Sequence, residues 1–228
     1  MSIIDNYNRI NDSVRETAIK CGRNPDNIKI IAVSKTFSVQ IIQEAIDSGI
    51  ILLGENKIQE AKNKVPLLTG NFKMHMIGHL QSNKTRDAVQ LFDLIHSIDK
   101  LSTAEKLNNE AAKINKVQKI LLQFKTTGEY SQSGATLDDL QTIAESVLKM
   151  KNLSIEGLMN IGPNIQDINK IRQSFADTKT ALMLINSKLK LNLTELSMGM
   201  SADYQTAIQE GATYIRIGSA IFGQRGYI

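Results

Sequence analysis

The sequence predicts an α/β protein folded as a single (β/α)₈ barrel, and three observations predict it. Eight short apolar runs alternate with amphipathic stretches, several runs are continuously apolar, and the chemically versatile residues gather just after the runs. Runs such as KIIAV (29–33) and ILL (51–53) suit strands buried on both faces, as in a parallel sheet covered by helices. A length of 228 residues fits one such barrel.

The elements follow in order. Apolar positions at Ile3, Tyr7, Ile10, Val14, Ala18 and Cys21 predict a helix over 3–22, opened by a Ser2–Asp5 capping box and ended by Gly22 and Pro25. Strands are expected at Ile28–Ser34, Ile50–Leu53, Met74–Ile77, Leu91–Ile95, Lys119–Phe124, Ser154–Met159, Glu195–Met198 and Tyr214–Ile217. Helices are expected between them at 38–48, 56–68, 83–90, 102–115, 137–150, 167–189 and 203–210. Ser102 with Glu105 and Thr136 with Asp139 offer two more capping boxes, and Leu107, Ala111 and Ile114 share a helix face. Eight strands with seven intervening helices leave one place on the barrel wall for the helix that precedes strand one. An open doubly wound sheet is the alternative. It would carry a glycine fingerprint after the first strand, and SKTFS (34–38) has no glycine.

Composition narrows the partners. Hydrophobic residues make up 42% and charged residues 22%, ordinary for a globular protein. The net charge of +4 is spread along helical segments without a run of five like charges. That argues for a solvated surface rather than a nucleic-acid partner and still allows a mildly basic cleft for an anion. Cys21 is the single cysteine, so no disulfide can form within the chain, which suits a cytoplasmic protein. The N-terminus has no continuous apolar core of a signal peptide or membrane span. With three prolines and no linker-like stretch, residues 1–228 read as one domain.

The candidate site lies at the strand ends. Lys35, Asn56, His79, Asp99, Asn160, Ser201, Gly218 and Ser219 all follow predicted strands, and in a parallel barrel those ends open onto one ligand-binding face. Lys35, after an apolar strand, is placed where desolvation lowers an amine pKa and frees it to condense with an aldehyde; equally, its tip could snorkel to solvent. Gly218 and Ser219, with the SMGMS loop ending at Ser201, stand where barrels collect phosphate. Arg216 could pair with a rim carboxylate, or could face a pyridine ring, whose nitrogen a guanidinium would leave unprotonated. His75, His79 and His96 lack the converging partners that zinc requires. Met198 and Met200 read as core or pocket wall.

At these residues the chain resembles a known family. AVSKT (32–36), GENKIQE (54–60), HMIGHLQSNK (75–84), HSID (96–99), GLMNIGP (157–163) and SMGMSADYQTAIQEGATYIRIGSAIFGQRGY (197–227) are similar to motifs of the YggS/PROSC family of pyridoxal phosphate homeostasis proteins. The resemblance implies a barrel like the N-terminal domain of alanine racemase, with pyridoxal 5′-phosphate (PLP) as a Schiff base on Lys35. It implies Asn56 near the ring, Ser201, Gly218 and Ser219 on the phosphate, and Arg216 toward the ring nitrogen. The fifth-strand segment QFKTTGEYSQSG departs from the family pattern at Phe124, Lys125 and Gln132, and no role is assigned there.

Three functions are weighed. The first is an intracellular carrier that buffers PLP and passes it to PLP-dependent apo-enzymes with little or no turnover. The second is a PLP-dependent racemase or decarboxylase, and the third is a cofactor-free Schiff-base aldolase. The first is expected, because racemisation needs a second base on the opposite face of the ring. Alanine racemase completes that site with a further domain and a tyrosine, whereas this sequence stops soon after strand eight. None of Tyr7, Tyr130, Tyr204, Tyr214 and Tyr227 is spaced to serve; His79 is the competing candidate.

Overall fold

The computed structural model describes residues 2–126 and 133–223. Tyr130, Gln132 and Tyr227 lie outside the described residues. Eight strands, β1 (Lys29–Val33), β2 (Leu52–Glu55), β3 (Lys73–Met76), β4 (Leu94–Ile98), β5 (Gln118–Gln123), β6 (Leu153–Met159), β7 (Glu195–Met200) and β8 (Tyr214–Ile217), close into a parallel barrel. Closure is direct: β1 pairs with β2 on one side and with β8 on the other.

Nine helices among the described residues surround it: α1 (Ile3–Lys20), α2 (Val39–Asp47), α3 (Ile58–Lys64), α4 (Thr85–Leu91), α5 (Leu101–Lys113), α6 (Leu137–Val147), α7 (Ile168–Leu189), α8 (Tyr204–Gln209) and α9 (Ser219–Phe222). α1 takes the vacant place on the wall. Asn6 Nδ2 donates to Ile221 O of α9 at 3.0 Å, and Tyr204 of α8 donates to Ser13 Oγ at 2.9 Å. The Ser2–Asp5 capping box that starts α1 is present in both directions.

Strand alternation separates two cores. Ile31, Val33, Ile77, Leu94, Leu121, Met159 and Tyr214 pack inside the barrel with Leu52 against them. The alternate residues Ile30, Ala32, Leu53, Met74, Met76, Ile95, Ile120, Leu122 and Leu158 face the helices. The helices answer with buried residues on one side, such as Ile42, Ala45 and Ile46 of α2 or Phe175, Ala181, Leu182 and Ile185 of α7. Side chains of this size contribute about 1.5–3 kcal/mol each when removed from water.

Several boundaries differ from expectation. β2 and β4 begin two and three residues later than the apolar runs suggest, because Ile50–Ile51 serve as an approach to the sheet and Leu91 still belongs to α4, with Phe92 and Asp93 leading from it into β4. Ser102 does not cap α5: Lys100 occupies the N-cap without a side-chain hydrogen bond, and Ser102 lies inside the helix. Ile114 falls at the C-cap and is exposed, off the Leu107–Ala111 face. Thr136 does cap α6, and its hydroxyl also reaches Asp139 Oδ2 at 2.8 Å. Met198 is core, but Met200 is exposed.

Candidate functional site

Lys35 sits in a tight turn two residues beyond β1, half-buried. The Phe37 N–H donates to Ser34 O at 3.2 Å and closes the turn, and Thr36 at its centre has φ +69°. A β-branched residue rarely adopts this left-handed conformation, so surrounding bonds must hold it. Glu60 Oε2 accepts the Thr36 N–H at 2.9 Å. Lys64 Nζ then joins Glu60 (2.9 Å), Glu55 Oε1 (3.1 Å) and Ser34 O (3.3 Å), while the Ser34 hydroxyl donates to Glu55 Oε1 at 2.8 Å. Glu55 is fully buried, and burial raises its carboxyl pKa against the opposing pull of Lys64 and Ser34. Glu55 thus closes β2 facing the helix layer and grips the Lys35 turn from behind.

Pairing registers place the predicted residues along one arc of the rim. Val33 pairs with Gly54, which brings Asn56 to the end of the neighbouring strand, and Ala32 pairs with Ile217 on the other side, next to Gly218. A Cβ on Gly218 would lie 3.5 Å from Val33 Cβ, so that backbone is in contact with the strand that carries Lys35. Met200 pairs with Arg216, which sets the exposed Ser201 at the next strand end. The arc therefore runs Asn56, Lys35, Gly218–Ser219, Ser201 over β2, β1, β8 and β7. Ser219 opens the single turn of α9, and the Ser219 and Ala220 N–H groups make no bond among the described residues. Gly199 (φ +89°) enables the bend before Ser201, and Asp203 Oδ1 accepts the Met200 N–H at 2.6 Å.

Arg216 lies beneath this arc, inside the barrel. Its Nη1 donates to Ser197 Oγ and its Nη2 to Asn160 O, each at 2.8 Å. These bonds use two of five guanidinium N–H groups, and no ion pair among the described residues includes Arg216. Burial lowers its pKa to about 10, with Asp203 acting in the other direction, so it stays cationic near neutrality. A buried cation with unused donors, beside bare backbone N–H groups and a primary amine, is suited to an anionic ligand that also carries a carbonyl.

The remaining predicted residues separate. His79 is half-exposed at the rim, its Nδ1 3.8 Å from Asp99 Oδ2. With Asn56 it lines a cavity of about 440 Å³. His75 and His96 face inward and below: His75 Nδ1 lies 3.0 Å from His96 Nε2, and His96 Nδ1 lies 2.9 Å from Ser197 Oγ. Sequence reasoning weighed these histidines only as metal ligands and passed over Ser197. Counting the period-two alternation back from Arg216 and across to neighbouring strands would have placed Ser197 and His96 at the same depth. Glu60 and Lys64 carried no such signal, because their role depends on the left-handed Thr36.

Comparison with known proteins agrees with this architecture. Residues 6–226 match the model of the alanine racemase N-terminal domain family. The pyridoxal phosphate homeostasis protein of Vibrio alginolyticus is 37% identical, over 99% of both chains. Its Escherichia coli K12 counterpart is 36% identical over 99% of this chain and 97% of that one. Among solved structures, PipY of Synechococcus elongatus with PLP bound has a TM-score of 0.83 at 36% identity, covering 92% of this chain and all of that one. An alanine racemase of Clostridium difficile has a TM-score of 0.76 at 12% identity, over 95% of this chain and 56% of that one, and shares the fold. The chain belongs to the alanine racemase N-terminal domain family and, within it, to the pyridoxal phosphate homeostasis proteins.

Proposed function

We propose that this chain binds PLP covalently through Lys35 and serves as an intracellular, cytoplasmic PLP carrier, buffering the cofactor and delivering it to apo-enzymes. The observation that carries this is the rim arc, which sets a half-buried lysine between Asn56 and the Gly218–Ser219 backbone, with an arginine beneath whose guanidinium has unused donors. When bound, PLP supplies an aldehyde that links to an amine and a ring that draws electrons from bonds made at that carbon. Lys35 provides the amine, aimed by the turn that Glu60 and Lys64 hold. Ser201, Gly218 and Ser219 supply a hydroxyl and N–H donors for the phosphate. Arg216 directs a remaining N–H at the ring nitrogen; as a cation it gives no proton there and leaves the ring a weaker electron sink. Asn56 borders the ring. In this proposal residues 1–228 act as one PLP-binding barrel domain with an N-terminal helix.

Little or no turnover of amino acids is part of the same proposal. The three described tyrosines are engaged elsewhere: Tyr204 with Ser13, Tyr214 inside the barrel with Lys29, and Tyr7 against the helix-side core. None supplies a second base above Lys35. The His79–Asp99 pair is the one rim feature that favours a racemase or decarboxylase instead. No helix among the described residues is long and apolar enough to cross a membrane. The test is to incubate the PLP-loaded chain with L- and D-amino acids in deuterated water and, separately, with a PLP-requiring apo-enzyme. Activation of the apo-enzyme with negligible α-proton exchange is expected. Exchange at an ordinary enzymatic rate, about 1–1000 per second, would overturn the carrier assignment.

A further inference from the structure

A cavity of about 640 Å³ opens at the N-terminal end of the barrel, opposite the Lys35 rim. That volume suits a small organic molecule. The interior layer reaching it comes from alternate strands: Lys29 of β1, Lys73 of β3, Lys119 of β5 and Glu195 of β7. Barrels ordinarily fill such layers with bulky branched side chains; here three of four are lysines. Lys29 is committed, its Nζ 2.8 Å from Glu195 Oε1 and 3.2 Å from Tyr214 Oη. Lys73 and Lys119 enter no ion pair among the described residues. The other charged groups lining the cavity have neutral hydrogen-bond partners, and with four lysines against three carboxylates the lining is cationic. Lys116 donates to Val89 O and Phe92 O (2.7 Å each), Asp93 accepts the Met74 N–H (2.8 Å), and Glu156 accepts from Ser154 (2.9 Å).

Deeper in the cavity, the hydrogen-bond chain from Arg216 ends on a donor. Arg216 can only donate to Ser197 Oγ. We assign the Ser197 hydroxyl as donor to its other partner, His96 Nδ1, the arrangement that leaves no hydroxyl hydrogen unused; His96 Nε2 then carries hydrogen and donates to His75 Nδ1. This assignment places the proton of neutral His75 on Nε2, which has no partner among the described residues. His75 is 4% exposed and lines the cavity. His75 Nε2 is not among the buried unpaired side-chain atoms, so it opens onto the cavity, where an acceptor can reach it.

We propose that this basal cavity is a second ligand site, taking a small organic anion whose carboxylate or phosphate monoester engages Lys73 and Lys119 while an acceptor on its body meets His75 Nε2–H. Leu52, Leu94 and Tyr214 provide apolar walls for that body. The site lies at the far end of the barrel from Lys35, so it stands or falls independently of the cofactor assignment.

The test uses the full ¹⁵N-labelled, PLP-loaded chain, titrated with phenyl phosphate and separately with benzoate while backbone amides are followed by NMR. Saturable shifts at Lys29, Lys73, Lys119 and Tyr214 are expected with at least one probe, and the probe that binds identifies the head group. Lys73→Met and Lys119→Met, both at exposed residues, should each weaken binding about tenfold, as expected for a lost hydrogen bond between charged groups. The visible absorbance of the PLP-loaded chain should not change. Failure of both probes to saturate, shifts confined to residues 34–37 and 218–220, or unchanged binding in the double Lys73→Met/Lys119→Met variant would each overturn the proposal.

Discussion

Ser197 Oγ and Arg216 Nη1 are 2.8 Å apart, and this contact ties the buried arginine to two buried histidines. Ser197→Ala removes the acceptor for Arg216 and the donor for His96 at once. A loss of about 1–3 kcal/mol in stability is expected from the groups left unpaired, together with weaker PLP affinity as Arg216 loses one of its two tethers. Urea unfolding with and without PLP measures both. Unchanged affinity would mean that Arg216 does not contribute to cofactor binding.

The grip on the Lys35 turn gives a second outcome. Glu60→Ala removes the acceptor of the Thr36 N–H and one partner of Lys64. PLP affinity should fall, whereas Thr36→Gly should relieve about 1–2 kcal/mol of left-handed strain and preserve binding better than Thr36→Val. Equilibrium PLP titration of the three variants checks the order. Equal affinity throughout would show that the turn does not aim Lys35.

The histidine pair sets a pH dependence. Burial, followed by Lys73 and Lys29, lowers the His75 pKa to about 3; burial, followed by His75 and Arg216, holds His96 well below 6.5. The folded state therefore refuses protons that the unfolded chain accepts near pH 6.5. Stability should be full above that value and fall as pH drops through 6.5 toward about 3, by about 1.4 kcal/mol per pH unit for each proton. Glu55 acts with the opposite sign, because burial raises its pKa and its ionisation opposes folding as pH rises. Urea midpoints at pH 7.5 and 5.5 should therefore differ in the parent and converge in His75→Gln/His96→Gln. A flat parent profile would contradict the neutral-histidine assignment.

Gly78 concerns the position of Asn56. A Cβ at Gly78 would fall 2.2 Å from Asn56 O, a backbone atom that cannot swing aside. Gly78→Ala should cost about 1–3 kcal/mol as the chain shifts, and PLP affinity should drop with it. A variant as stable and as tight-binding as the parent would dissociate Asn56 from the site.

Much of this was legible in the sequence because a barrel repeats one simple pattern. KIIAV announced a strand covered on both faces, and the position of Lys35 just after it announced a rim lysine. The order of rim residues around the arc was not legible, since it depends on which strands pair at closure. The β2 and β4 boundaries slipped because apolar residues also pack as they approach a sheet. The Ser102 capping pattern was outcompeted by a helix that starts at Leu101. The Arg216–Ser197–His96–His75 chain was hidden because each residue, taken alone on a strand, reads as an isolated polar exception.

The central assignment is tested most directly by reducing the PLP-loaded chain with borohydride and mapping its peptides. A phosphopyridoxyl group on Lys35, with loss of the visible absorption band in Lys35→Ala, is the result expected. Label confined to another lysine, with the band intact in Lys35→Ala, would contradict it.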